Sequence, residues 1–192
     1  MVKPGRTRAA ASLAAMLSLT ASAGAAAAQT RVNPEAKLLQ DFQQRIEQYM
    51  ELHNKLEKEA PKLKETADPA EIQASQEALA VMLRAERRQA RQGEIFTPEI
   101  GRHVRTLLRP EMKGPAASET KKAIKEDAPA GLPLKVNARF PEGEPLPTVP
   151  PNVLARLPEL PEDLEYRIVR NALILRDVHA NVIVDFLPNA IP

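Results

Sequence analysis

The sequence predicts an α+β protein: an N-terminal helical hairpin plus a third helix, a Pro-rich extended linker and a C-terminal three-stranded antiparallel β-meander. Three observations predict it. Apolar residues recur at steps of three and four from Leu39 to Leu108, prolines crowd the middle of the chain, and short β-branched and apolar runs fill its last segment. The corresponding organisation is a leader over 1–28, a helical module over 33–110, a linker over 111–161 and a meander over 162–192.

The leader comes first. Lys3, Arg6 and Arg8 precede an uncharged stretch from Ala9 to Thr20, and Ala26-Ala27-Ala28 supplies small residues for cleavage before Gln29. This is the order of parts in a secretory signal peptide, so the mature protein is expected in the periplasm or secreted, with no transmembrane segment after cleavage. The chain has no cysteine, which excludes a lipobox anchor and any disulfide. Lys and Arg number 27 and Asp and Glu 25; subtracting the leader's three cations leaves 24 against 25, a net charge of −1. The apparent basic character disappears with the leader, and nucleic acid is not an expected partner.

Asn33-Pro34-Glu35 opens the first helix, with Asn as cap, Pro at the first helical position and an acid in the first turn. Leu39, Phe42, Ile46, Tyr49, His53 and Leu56 then follow an a/d seam up to Pro61. The seam predicts a helix over 34–59 and self-association, or a protein partner, through Leu39, Phe42, Ile46 and Tyr49. Asp68-Pro69-Ala70-Glu71 starts a second helix carrying Ile72, Leu79, Met82 and Leu83, expected to close at Gly93. Thr97-Pro98-Glu99 starts a third with Ile100, Val104, Leu107 and Leu108, ended by Pro110.

From 111 to 161 repeated prolines disfavour long helix and central strand and predict extended backbone, with Lys121–Asp127 able to form a helical turn. In the last segment Leu164–Val169, Ala172–Asp177 and Asn181–Leu187 read as strands. Arg170-Asn171 and the stretch Asp177–Asn181 are their turns. Such a sheet is stable only with a face covered.

Gly93–Glu99 and Leu160–Val169 through Asp177–Asp185 resemble an uncharacterised family of exported bacterial proteins, a resemblance that implies no activity. The terminal hairpin is similar to the C-terminal strand pair of periplasmic nickel/cobalt-homeostasis proteins of the RcnB type. That similarity covers about 30 residues of ordinary strand patterning and carries no site residues with it.

Chemistry-bearing residues are few. His53, His103 and His179 are far apart in sequence, without His-x-x-x-His spacing. His53, one turn from Tyr49 and Glu57, reads as a polar residue setting the register of the seam. His179 shares a turn with Asp177 and Asn181. Both are candidate metal residues through their imidazole and carboxylate groups, yet Asp and Asn are also ordinary turn formers. No metal and no cofactor is therefore assigned. Ser75 and Ser118 lie outside any nucleophile motif, and single glycines make no phosphate loop. Arg84, Arg87, Arg88 and Arg91 read as a solvated face whose stems cover apolar surface. The expected function is a non-enzymatic periplasmic accessory or interaction protein. The alternative is a metal- or small-ligand-binding homeostasis protein using the hairpin, and a third reading, an envelope hydrolase, needs acids facing each other across a cleft.

Overall fold

A computed structural model of the chain describes residues 33–62, 67–113, 117–126, 134–140 and 149–191; the leader 1–28 lies outside them. The α+β architecture holds. Helices α1 (Pro34–Glu59), α2 (Pro69–Glu86) and α3 (Pro98–Leu108) precede α4 (Ala117–Glu126) and the single turn α5 (Pro151–Leu154). Strands β1 (Leu164–Val169), β2 (Ala172–Asp177) and β3 (Val182–Leu187) follow in one antiparallel sheet of order β1-β2-β3.

The helix starts follow from their caps. The side chains of Asn33, Asp68 and Thr97 accept hydrogen bonds from the N–H groups of Glu35, Ala70 and Ile100, and proline fills the next position in each case. Helix α2 ends at Glu86, not at Gly93. The residues up to Gly93 form a loop; at the helix end the Arg87 carbonyl accepts from Asn137 Nδ2, and the Arg87 side chain donates to Asn137 Oδ1 and the Val184 carbonyl. Gly93 itself sits at φ 93°, a conformation that glycine adopts without a Cβ clash.

The predicted seam is real but is covered by the chain itself. Phe42, Ile46, Tyr49, His53 and Leu56 are buried, and Leu39 is half-buried. Helix α1 lies beside α2 and α3, and the apolar members of its stripe join one core with Leu164, Tyr166, Ile168, Leu173, Leu175 and Val184 of the sheet. Phe42, 2% exposed, stacks on Phe96 at 6.2 Å between ring centroids. Of the four residues expected to meet a partner, Phe42, Ile46 and Tyr49 are thus buried within the chain itself, and Leu39 keeps part of its surface.

The other face of the sheet is covered too. Phe140 packs with Val169, Ile174 and Ile183 in a second cluster, and Arg139 bridges Val182. Asn181 locks this arrangement: its Nδ2 donates to the Phe140 carbonyl, and its Oδ1 accepts from Arg176. Within 111–161, therefore, the described residues include two helices and a docked stretch at 134–140 as well as extended chain. Helix α4 buries Ile124 at 3% exposure, and Asn152 at α5 donates to Glu111 and Thr120.

A register shift on β3 places the first of two buried aspartates. Leu175 pairs with Asp185 but Arg176 pairs with Ile183, leaving Val184 as an extra residue. Strand residues alternate faces, so the bulge puts Val182 and Val184, then Asp185 and Leu187, on the helix side. Asp185, fully buried, there accepts from the backbone N–H groups of Gly93, Ile95 and Phe96 at 2.8–2.9 Å, and from Phe186 N–H. Burial raises its pKa above the ordinary aspartate value despite these donors.

Candidate metal centre

The second buried aspartate organises a different environment. Tyr49, His53 and Glu57 recur every four residues on α1, which stacks them along one side of the helix. Asp177 ends β2 immediately before the turn to β3 and is fully buried. Its Oδ2 accepts the Tyr49 hydroxyl at 2.6 Å and lies 2.7 Å from His53 Nδ1, while Oδ1 accepts Ala180 N–H at 2.7 Å. The turn is thereby tied to the helix over 124 residues of sequence.

These contacts set the protonation of the group. Burial alone pushes the Asp177 carboxyl up, but the His53 hydrogen bond and charge, with Tyr49 and Ala180, outweigh it and hold the pKa below the usual value. Burial likewise pulls the His53 imidazole down, and Asp177, Glu57 and Asp163 together raise it above its ordinary value. The Tyr49 phenol is held well above its ordinary pKa by burial and by Asp177, and it stays protonated as a donor. Arg87 sits over the Tyr49 ring at 5.0 Å and closes the site from the α2 side.

With Nδ1 committed to Asp177, the lone pair of a neutral His53 is on Nε2. That atom is buried and has no hydrogen-bond partner. The nearest Glu57 oxygen, Oε2, is 3.8 Å away, and the His179 ring centroid is 5.7 Å from that of His53. His179 comes from the β2–β3 turn; its Nδ1 lies 2.7 Å from Glu57 Oε1 and its Nε2 3.4 Å from Asp163 Oδ1. One donor atom each from His53, Glu57 and His179 falls within 4.8 Å of the others. A tetrahedral ion with bonds of about 2.0–2.1 Å needs ligands about 3.3 Å apart. Glu57 and His179 are roughly half exposed, so their side chains have freedom to close that difference.

The arrangement is one that could hold a metal ion, with a partner behind one of its ligands. A histidine ligand almost always hands its second ring nitrogen to a carboxylate or carbonyl, which fixes its tautomer and orientation. Asp177 does this for His53, and Tyr49 in turn fixes Asp177. Of the two residues singled out from sequence, His179 contributes a donor atom and Asp177 stands behind His53. The fold brings His53 and His179 together, whereas His103 lies on α3 with Glu35 Oε1 at 3.8 Å and takes no part. Glu57 and Asp163 were not singled out by sequence reasoning. The spacing His53-x-x-x-Glu57 on one helix face was the only available signal.

A cleft of about 570 Å³ opens beside the cluster between α1, α2 and the β2–β3 turn, with Glu57 and His179 on its wall. The arginine group separates as well: Arg87 is an internal contact, Arg84 pairs with Glu77, and Arg88 and Arg91 are exposed. No described helix is long and apolar enough to cross a membrane. No family model, no curated protein and no solved structure matches the chain.

Proposed function

We propose that this is an exported, non-enzymatic accessory protein whose cargo is a divalent transition metal, held by His53, Glu57 and His179. The observation that carries this reading is His53 Nε2, a buried ring nitrogen without a hydrogen-bond partner, 3.8 Å from the Glu57 carboxylate and grouped with the His179 imidazole. Leaving a buried polar atom unmade costs about 1–3 kcal/mol, a cost that an ion would remove. Two imidazoles and one carboxylate suit zinc, nickel, cobalt or copper(II) and are poor for calcium or magnesium, which prefer oxygen alone. Export rests on the leader pattern of residues 1–28.

The test is calorimetric titration of the purified protein with zinc, nickel, cobalt and copper(II), and of its His179→Ala variant. Binding of at least one of these ions at one per chain is expected, weakened at least tenfold in the variant. No heat with any of the four ions, or equal affinity in the variant, would overturn the reading.

A further inference from the structure

The three donors do not complete the coordination of a transition metal, and two of them, Glu57 and His179, line the cleft. Two histidines and one glutamate form the ligand set that elsewhere keeps a fourth position for water or substrate. Asp177 is committed to His53 Nδ1, and Asp163 is engaged with the His179 ring at 3.4 Å; neither lines the cleft. The volume, about 570 Å³, lies within the range of small-molecule sites.

The wall has two characters. Lys58 and Lys62 place cations at the α1 end. Ile72, Leu79 and Val178 supply apolar lining, and Ile72 is 36% exposed, a large aliphatic group left uncovered on α2. A bound dication beside two lysines attracts an anion, and the aliphatic wall favours burial of a hydrocarbon chain.

We propose, building on the metal reading above, that the cleft binds a small carboxylate with an aliphatic chain. Its carboxylate takes the open metal position and its chain lies along Ile72 and Val178. The metal and the carboxylate are then carried as a ternary complex, and the cleft distinguishes chained from unchained acids.

Cobalt(II) bound to the protein reports its coordination through its visible absorption bands, which allows acetate and octanoate to be compared as probes. Both acids are expected to shift the bands, octanoate at a concentration at least tenfold lower. The Ile72→Asp variant is expected to keep cobalt binding and the acetate response and to lose the octanoate advantage. A Lys58→Ala, Lys62→Ala double variant is expected to weaken both acids. Bound cobalt whose bands respond to neither acid would show a closed site and overturn the ternary complex while leaving metal binding intact. Equal response to acetate and octanoate would overturn the role of the apolar wall. Cobalt, zinc, nickel and copper all failing to bind would overturn both readings.

Discussion

Asp177 and Asp185 are two fully buried aspartates on the helix side of the same sheet, and they are satisfied in opposite ways. Asp185 receives only backbone N–H groups, which have no further chemistry to offer. Asp177 receives the side chains of Tyr49 and His53, and His53 has a second nitrogen left over. The first arrangement ends in itself; the second passes its orientation on to an unused donor. A buried acid therefore points to a functional site when its partner is bifunctional, and to a structural joint when it is not.

The largest effect that would break this contrast is on stability. Asp185→Ala strands the N–H groups of Gly93, Ile95 and Phe96, and at about 1–3 kcal/mol per stranded group the loss should reach about 3 kcal/mol or more. Urea unfolding measures it. A loss below about 1 kcal/mol would mean that the loop does not depend on this carboxylate.

Asp177→Asn should cost about 2–4 kcal/mol, since it leaves a buried histidine without its counter-charge, and should also weaken metal binding about 10–100-fold. The same variant tests the pH dependence of the metal-free protein. Asp177, with its pKa lowered, stabilises the fold above its unfolded value of about 3.9, and this is lost as pH falls through the folded value. His53, with its pKa raised, contributes stability below about pH 6.5, and this is lost as pH rises through the folded value. The pair's contribution should peak between about pH 4 and 6.5 and fall away on both sides, with both slopes reduced in Asp177→Asn. Denaturant midpoints measured across that range check the shape.

His179→Gln should leave stability within about 0.5 kcal/mol, because the ring is half exposed, yet reduce metal affinity at least tenfold. A separation of this kind is what distinguishes a ligand from a joint. The smallest expected effect lies at the β1–β2 turn, where Arg170 has φ 58°. Arg170→Gly should raise the unfolding midpoint slightly, by the equivalent of about 0.5–1 kcal/mol, without altering metal binding.

Much of the architecture was legible because it depends on local chemistry. Asn33, Asp68 and Thr97 each precede a proline, and each caps a helix in the structure. The strands begin and end within a residue of their sequence limits, since Arg170-Asn171 and the turn before Asn181 are marked by their own residues. The end of α2 was not legible. Gly93 marks a stop, but the helix ends earlier, at a carbonyl of Arg87 that is taken by the Asn137 side chain, a contact that no local window contains.

The seam shows the same limit. Its period placed Phe42, Ile46 and Tyr49 on one face, but period alone does not distinguish a partner helix from a sheet far along the same chain. The bulge at Val184 likewise leaves no mark in the alternation of β3, though it sets the direction of Asp185. At the candidate centre His179 and Asp177 stood out because they share a turn. His53 and Glu57 looked like ordinary seam and surface residues, and only the pairing of α1 with the end of β2 gives them a common purpose.

The most direct test of the metal reading is X-ray absorption at the zinc edge of the zinc-loaded protein, which counts donors by element and distance. Two imidazole nitrogens at about 2.0–2.1 Å and at least one carboxylate oxygen are predicted, with one imidazole lost in His53→Ala. A shell of oxygen alone, or one unchanged by His53→Ala, would contradict it.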